Sequence, residues 1–312
     1  MFIILSPIVA KANDASETAG RNDTIIPHKS ITKPADDIIS ASIPANVCVP
    51  EDVLKLLTEV KTASDNVNDY TMTMFKHERF GDKMGPEVLL QVKWSRPFKV
   101  YLKYLNKADL GQEVLFVKGR NDDELLAHQG SFPDITISLD PCGSTCMSEN
   151  HHPIVKGSLF DFINGIESNI RQALKRDEGE IRLKSETLWG RSCTKLEAYH
   201  VKGGWYHTIE AGENLWEVAE KYDRNMYQIL HHNPGKGWDE ADDPSEGDRV
   251  FIPRYYSSRM FVWIDNELKM PLKLVTYDHF GQLYEVFENR NLQVNIGLTE
   301  KDFDPDNPEY DF

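Results

Sequence analysis

Histidines, cysteines and carboxylates are the residues of this 312-residue chain that could do chemistry, but their spacing matches no common catalytic pattern. The sequence has no Gly-x-Ser-x-Gly nucleophile turn, no His-Glu-x-x-His metal motif and no phosphate-binding P-loop. His151-His152 and His231-His232 are adjacent pairs whose side chains diverge on a strand or helix, which favours surface or capping roles over metal chelation. Carboxylates are too numerous for a glycosidase pair to be singled out. The sequence therefore predicts a non-catalytic protein with no cofactor and no metal site.

The four cysteines suit an oxidising compartment and allow three pairings in principle. Cys142 and Cys146 are separated by three residues that include a glycine, so a turn can bring their Cα atoms within the roughly 4.4–6.8 Å that a disulfide needs. We expect this pair to be bridged, which leaves Cys48 and Cys193. The C-x3-C spacing matches neither a redox C-x-x-C motif nor a zinc knuckle.

The negative net charge of the chain argues against polyanionic partners. The formal net charge is -15, and a polyanion or an anionic membrane surface would be repelled at long range. No apolar run after the first residues reaches the length of about 18 that spans a bilayer. We therefore expect neither nucleic-acid binding nor a membrane-spanning segment, and a neutral ligand is favoured.

The amino-terminal residues indicate export. Residues 1–12 combine a short apolar run with Ala10-Lys11-Ala12, which fits the small-x-small rule of signal-peptide cleavage. A short buried strand is the alternative. Residues 13–49 are rich in Ser, Thr, Asp and Ala and have no sustained period, so they are predicted to be a disordered linker. The protein is expected in the periplasm or cell envelope.

Two amphipathic helices and many strands are predicted for the remaining chain. One helix begins at Pro50, with Val53, Leu56 and Val60 on one face, and another begins at Ser158, with Leu159, Phe162, Ile163, Ile166 and Ile170 on one side. Ser158 and Asp161 form a near capping box. Period-two runs occur at 70–75, 88–94, 99–104, 113–117 and 134–139, then at 181–187, 193–201, 259–265, 271–277 and 282–287. The pattern predicts an α+β fold with a strongly curved antiparallel sheet partly filled by helices.

Residues 205–253 carry their own pattern of elements. A short strand from Trp205, a helix capped by Asn214, a second helix capped by Asn225 and a closing strand ending at Pro253 give the order strand, helix, helix, strand. Removing this segment would join two strands of a hairpin. It is therefore predicted to be a module inserted at a hairpin tip, where an insertion does least harm.

The inserted segment resembles the LysM family over its whole length. The resemblance is carried by Tyr206-His-Thr-Ile-Glu-Ala-Gly-Glu-Asn-Leu-Trp216, by Asn233-Pro, and by Gly247-Asp-Arg-Val-Phe-Ile-Pro253. It departs from the family at Glu213-Asn214, where Asp followed by Thr or Ser is usual, and at Ser245-Glu246-Gly247, which replaces a common Pro-Gly step.

That resemblance implies a groove that holds N-acetylglucosamine units of peptidoglycan or chitin-like glycan, largely through backbone groups. An acetamido sugar offers one donor, one acceptor and a methyl group, which peptide amides and an apolar wall can satisfy. The implied binding residues are Gly212, Glu213, Asn214, Leu215, Leu230, Asn233 and Pro234. The alternative is that three of these residues have structural roles. Gly212 would be a turn glycine, and Asn214 and Asn233 would be residues at helix ends.

The surrounding residues, 50–204 and 254–312, resemble the LolA-type lipoprotein-carrier fold as one discontinuous domain. The resemblance is carried by the order of the elements, by the segment from Met270 to Glu285 and by Leu292-Gln-Val-Asn. Trp94-Ser-Arg-Pro-Phe98 and Gly111-Gln-Glu113 are similar to an exported family of unknown function with that fold. Such half-barrels shelter acyl chains, which implies a lipid or lipoprotein partner. The candidate cavity-lining residues are Met72, Met74, Leu90, Trp94, Tyr101 and Phe116, and the alternative is that they are plain core.

Taken together, these patterns predict an exported, non-catalytic cell-wall-binding protein with a LysM module in a carrier-like domain. Two alternatives remain open. One is a peptidoglycan-remodelling hydrolase anchored by the module, and the other is a wall-spacing scaffold whose host domain binds nothing.

Overall fold

The computed structural model describes residues 50–107, 110–132, 134–236, 238 and 244–312. The predicted signal peptide and linker, together with Cys48, lie outside the described residues. The helices are α1 (Pro50–Asp65), α2 (Ser144–Met147), α3 (Leu159–Arg176), α4 (Leu215–Lys221) and α5 (Met226–His231). The strands are β1 (Asp69–Phe80), β2 (Lys83–Met84), β3 (Val88–Ser95), β4 (Lys99–Tyr104), β5 (Glu113–Val117), β6 (Leu125–His128), β7 (Thr136–Leu139), β8 (Glu180–Leu188), β9 (Arg191–Tyr199), β10 (Gly204–Thr208), β11 (Arg249–Pro253), β12 (Arg259–Asp265), β13 (Pro271–Tyr277) and β14 (Leu283–Val294).

One large antiparallel sheet organises the fold. Its strands follow the order β7-β6-β5-β4-β3-β1-β14-β13-β12-β9-β8, and β2 pairs with β1 off this path. The first and last long strands among the described residues, β1 and β14, are therefore neighbours in the middle of the sheet. The α+β architecture with a large antiparallel sheet and few helices confirms the predicted fold class at that level. Among the described residues no helix is both long and apolar enough to cross a bilayer.

Helices α1 and α3 cover one face of the sheet. Their apolar sides pack on alternate residues of the strands and form the main hydrophobic core. The predicted cap of α3 is present, because the Ser158 hydroxyl accepts from the Asp161 backbone N–H and the Asp161 carboxylate accepts from the Ser158 N–H. Two satisfied N–H groups hold the start of α3 in register against the sheet.

The carboxyl-terminal segment covers part of the opposite face. Phe303 and Tyr310 pack with Tyr101, Leu115 and Val117 in a separate hydrophobic cluster. The ring of Tyr101 stacks on that of Tyr310 with centroids 3.9 Å apart. Strands β4 and β5 are consequently buried on both faces, which explains why β5 has no exposed residue.

The segment between β9 and β12 folds as the predicted strand, helix, helix, strand. Strands β10 and β11 pair antiparallel from Gly204 with Pro253 to Thr208 with Arg249, and the segment has its own core, built around Leu215, Val218 and Ile229. Gly204 has to be a glycine at this pairing, because an added Cβ would lie 2.0 Å from the Ile252 carbonyl oxygen. Strands β9 and β12 are adjacent in the sheet, so the segment lies at the tip of their hairpin.

Two expectations need correction. Strand β6 was not predicted, and it places residues 125–128 between β5 and β7. The expected Cys142–Cys146 disulfide is absent, since both residues are free thiols. Residues 144–147 form helix α2 instead of an open turn, and this buries Cys146 while Cys142 stays exposed. Burial raises the pKa of the Cys146 thiol to about 12, so it is protonated and unreactive at neutral pH.

Candidate functional site

Charged residues occupy core-facing positions at the end of β1. Along this strand the buried residues alternate with partly exposed ones, and Lys76 and Glu78 continue the buried series begun by Met72 and Met74. Both charged side chains are almost fully buried, at 1% and 2% exposure. Buried charges need partners, because an unpaired ion in a protein interior costs several kcal/mol.

Those partners come from three other parts of the chain. Glu285 of β14 lies directly opposite Glu78 in the sheet register. The Lys76 ammonium lies 2.7 Å from Glu78 Oε2 and donates to the side-chain oxygen of Asn150. His151 Nδ1 lies 2.7 Å from Glu285 Oε1, and its Nε2 lies 2.8 Å from the Arg79 carbonyl oxygen.

His152 and Tyr256 complete what we call the buried polar cluster, which consists of Lys76, Glu78, His151, His152, Tyr256 and Glu285. The Tyr256 hydroxyl donates to Glu285 Oε1 and lies 3.1 Å from His152 Nε2. His152 Nε2 is itself 3.4 Å from Glu285 Oε1. One carboxylate oxygen of Glu285 thus receives contacts from both histidines and from the tyrosine.

The contacts keep both carboxylates ionised. Burial by itself would raise the pKa of Glu285, but its contacts with His151 and His152 outweigh burial and hold the pKa well below the usual range. The pKa of Glu78 is also lowered, because the charges of Lys76 and His151 outweigh burial. Burial lowers the pKa of His152, which favours its neutral form. Burial, reinforced by the Glu285 charge, raises the pKa of Tyr256, which remains a hydroxyl donor.

Three residues of this region are close enough together to share a metal ion. Among the described residues, Glu78, His152 and Glu285 can each bring one ligand atom within 4.8 Å of the others. However, Lys76 and His151 contact the same two carboxylates, so both carboxylates already have partners in the protein. We therefore assign the group to an ion-pair and hydrogen-bond network. The lack of a metal site remains a prediction from the sequence.

A cavity of about 500 Å³ lies between α3 and the sheet, and we call it the α3 cavity. Three members of the buried polar cluster, His152, Tyr256 and Glu285, line it. Its apolar lining residues are Phe162, Ile166, Met260, Leu274 and Phe287, and polar residues of α3 and of the inserted segment also line it. A cavity with an apolar wall and a few convergent polar groups is the usual form of a small-molecule site.

The inserted segment supplies another wall of this cavity through Arg224, Asn225 and Gln228. Asn225 Nδ2 donates to the His151 carbonyl oxygen at 2.8 Å, and Gln228 Nε2 donates to the Tyr255 carbonyl oxygen at 2.8 Å. Gln228 is fully buried, and its Oε1 has no hydrogen-bond partner among the described residues. The inserted segment is therefore docked on the host domain, and the cavity requires both.

The predicted lipid-lining residues lie elsewhere. Met72, Met74, Leu90, Trp94 and Phe116 belong to the main hydrophobic core, and none of them lines the α3 cavity. Tyr101 does not join them, because it is out of phase with Val100 and Leu102 and faces the carboxyl-terminal segment. Residues of β12, β13 and β14 line the cavity instead.

Most predicted glycan-binding side chains have structural contacts within the inserted segment. The Asn214 side chain caps α4 by accepting from the Glu217 N–H, Asn233 bonds to both the N–H and the carbonyl of Phe251, and Leu215 is in the segment's core. Burial opposes ionisation of Glu213, but hydrogen bonds from the Glu210 N–H, His207 and Lys221 lower its pKa to about 2. Gly212 and Pro234 are exposed and Leu230 is half-buried.

The surface or capping role expected for the histidine pairs is present at His232, which is the C-cap of α5, but not at His151 and His152. His151 is buried and His152 half-buried, and both contact Glu285, so the surface or capping role is wrong for them. His231 Nε2 lies 3.0 Å from Asp278 Oδ2, which ties α5 to the host. A detectable signal was present in β1, where Lys76 and Glu78 fall on the core-facing parity of an apolar strand.

Sequence comparison identifies a family for the host domain. A family model described as "Protein of unknown function (DUF1571)" matches residues 67–215 and 252–312. The unmatched residues between these ranges belong to the inserted segment. No curated protein matches the sequence.

Comparison with solved structures finds several similar chains. A putative outer membrane lipoprotein-sorting protein domain from Vibrio parahaemolyticus is 13% identical, with 82% of this chain and 97% of that chain covered and a TM-score of 0.34. Lipoprotein LppX from Mycobacterium tuberculosis is 13% identical, with coverages of 79% and 98% and a TM-score of 0.38. A LolA superfamily protein from Nitrosomonas europaea is 11% identical, with coverages of 80% and 96% and a TM-score of 0.28.

Proposed function

This chain belongs to the DUF1571 family of proteins of unknown function, and we propose that it is an exported binding protein. The proposal is inferred from the chain's own site. Its ligand is an amphipathic molecule whose acyl chain is held in the α3 cavity. The observation that carries this proposal is a lining that combines five large apolar side chains with the polar groups of His152, Tyr256 and Glu285. An acyl chain would lie along Ile166, Met260 and Leu274, and a polar head would face His152 and Tyr256.

The size and chemistry of the cavity support this class of ligand. A volume of about 500 Å³ lies within the roughly 300–1,000 Å³ typical of small-molecule sites. Each buried methylene group contributes about 0.8 kcal/mol, so a chain of several carbons provides useful affinity without ion pairs. The unpaired Gln228 Oε1 offers an acceptor to a hydroxyl or amide group on the ligand.

Gly165 permits a sharp test, because it lines the cavity within α3 and an added Cβ there would meet no atom within 4 Å. Gly165→Leu should add apolar atoms at the wall of the cavity, with open space around its Cβ, and replacing a helical glycine with leucine favours the helix. We expect the fluorescent fatty acid 11-(dansylamino)undecanoic acid to bind the wild-type protein saturably and Gly165→Leu at least tenfold more weakly. Lys175→Leu adds the same side chain at an exposed site of α3 outside the cavity and should bind like wild type. Equal binding by all three proteins would overturn the proposal.

A second candidate function is glycan binding by the inserted segment. The observation that favours it is the strand, helix, helix, strand order with its own core, which is the arrangement that the LysM resemblance implies. Because Glu213, Asn214 and Asn233 are used internally, sugar contacts would come from backbone groups near the exposed Gly212 and Pro234, as that resemblance also implies. Zymography on peptidoglycan would distinguish this binding role from the wall-hydrolase alternative.

A further inference from the structure

A second cavity, of about 370 Å³, lies at the turn between β8 and β9. It is lined by Trp189 and Arg191 from that turn, by Leu268 and Leu272, and by residues 289–292 of β14. It shares no lining residue with the α3 cavity. Any ligand it holds is therefore independent of the proposed acyl ligand.

Trp189 is an unexpected residue for its position. Leu188 pairs with Arg191, so Trp189 and Gly190 form a two-residue hairpin loop, and both have positive φ, +50° and +79°. Such loops favour Asn-Gly or Asp-Gly, because a bulky side chain is strained in the left-handed region. The indole gains little burial in return, since it remains 46% exposed. Strain of this kind that stability does not explain is typical of binding sites.

The polar groups of the cavity point to an uncharged ligand. Arg191 is paired with Asp265 and Glu267, and Arg290 is paired with Glu288. Both guanidinium charges are therefore already compensated. The Arg290 guanidinium also lies 5.5 Å from the centroid of the Trp189 ring, which helps to hold the indole in place.

Asn289 supplies an unpaired acceptor. Its side chain is 3% exposed, and its Nδ2 donates to the Pro271 carbonyl oxygen at 2.9 Å. Its Oδ1 has no hydrogen-bond partner among the residues that the structure describes. A buried acceptor left unpaired is costly, and a ligand N–H or O–H would satisfy it.

We infer that this cavity binds a neutral N-acetylated sugar unit. The apolar face of a pyranose ring would lie on the Trp189 indole, the acetamido N–H would donate to Asn289 Oδ1, and the acetamido methyl group would contact Leu268 and Leu272. One donor, one apolar face and one methyl group are what the cavity can satisfy, and it offers no free charge to an ionic ligand.

The test uses the full chain labelled with 5-fluorotryptophan and the variant Trp189→Asn. Fluorine NMR assigns the Trp189 signal by its loss in the variant, and tri-N-acetylchitotriose is then added up to about 10 mM, a range set by the weak affinity expected of a small polar site. We expect the Trp189 signal to shift saturably, and cellotriose, which lacks acetamido groups, to leave it in place. Because this readout is specific to Trp189, glycan binding by the inserted segment neither mimics nor masks it.

The same variant separates binding from a structural role. Asparagine suits the first position of this turn, so Trp189→Asn should raise the melting temperature while abolishing the site. A lower melting temperature would show that Trp189 stabilises the fold, and an unmoved Trp189 signal would show that no sugar binds. Either result would overturn the inference.

Discussion

Glu78 of β1 faces Glu285 of β14 across the centre of the sheet, and both carboxylates are buried. Two like charges in this position repel each other and lose hydration, so the arrangement depends on the polar partners beside it. Lys76 is the closer partner of Glu78, and His151 is the closer partner of Glu285. The Lys76–Glu78 ion pair and the His151–Glu285 contact therefore lie side by side, and Glu285 also lines the α3 cavity.

Replacing Lys76 with methionine should destabilise the protein strongly. The aliphatic part of the side chain is retained, but Glu78 is left as an uncompensated buried charge, and breaking a buried pair in this way costs about 3–5 kcal/mol. Adding Glu78→Gln should recover much of that loss, because the unpaired charge is removed. Guanidinium unfolding of both single variants and of the double variant gives the coupling energy, and additive effects would contradict a direct pairing.

Stability should fall as the pH is lowered from 6.5 towards 4. Burial lowers the pKa of His200 and of His232 to about 4, so the unfolded chain takes up protons in this range while the folded chain does not. Each pKa unit corresponds to about 1.4 kcal/mol, so each histidine removes about 2 kcal/mol of stability by pH 5. His200 Nδ1 lies 2.9 Å from the Ser257 carbonyl oxygen, and an asparagine amide can make the same bond. His200→Asn should flatten the decline measured by urea unfolding between pH 7 and pH 5, and an unchanged slope would contradict the prediction.

Asn225 should contribute more to stability than Asn214, although both cap a helix of the inserted segment. Loss of a helix cap lowers the free energy of unfolding by about 1 kcal/mol, and we expect Asn214→Ala to cost this amount and no more. Asn225 also donates to the His151 carbonyl, so Asn225→Ala should cost about 2 kcal/mol and should weaken binding of the dansylated fatty acid. Urea unfolding and probe titration of the two variants check this, and equal effects would mean that the docking contact contributes nothing.

Glycan binding by the inserted segment should be weak and insensitive to salt. A shallow polar groove gives a Kd on the order of 10 μM to 1 mM for chitin oligomers. The segment is acidic, and a neutral sugar leaves few ion pairs to screen. The measurement uses the full chain carrying Trp189→Asn, so that the second cavity does not contribute to binding. The fraction that sediments with purified peptidoglycan should be similar at 50 and 500 mM NaCl. A steep loss at high salt would contradict a sugar groove.

The periodic parts of the fold were predictable, while the site was not. Strands β12 and β13 have the predicted bounds, and Ser158 and Asn214 cap their helices as expected. Their signals are local, because alternation and capping depend on residues a few positions apart. The sheet neighbours β1 and β14 are more than 200 residues apart in sequence, so no local pattern could bring Glu78 to Glu285.

Tyr101 illustrates a second limit. An aromatic residue in a strand is buried on whichever face is covered, and β4 is covered on both. Alternation along the strand puts Tyr101 on the opposite face from Val100 and Leu102. What packs against the Tyr101 face depends on the position of the carboxyl-terminal segment, which the strand pattern does not give. Assigning residues to one cavity therefore required the tertiary structure.

The insertion at the β9–β12 hairpin also affects the order in which the chain can fold. Tyr199 and Arg259 pair across 59 intervening residues, so closing this hairpin directly carries the entropy cost of a long loop. Once β10 and β11 have paired, only residues 200–203 and 254–258 remain as free connection. Since closure entropy scales with the logarithm of loop length, early folding of the insert lowers the barrier to joining β9 and β12 by about 1.5 kcal/mol. We therefore expect folding of the insert before β9 and β12 pair to speed the assembly of this edge of the sheet.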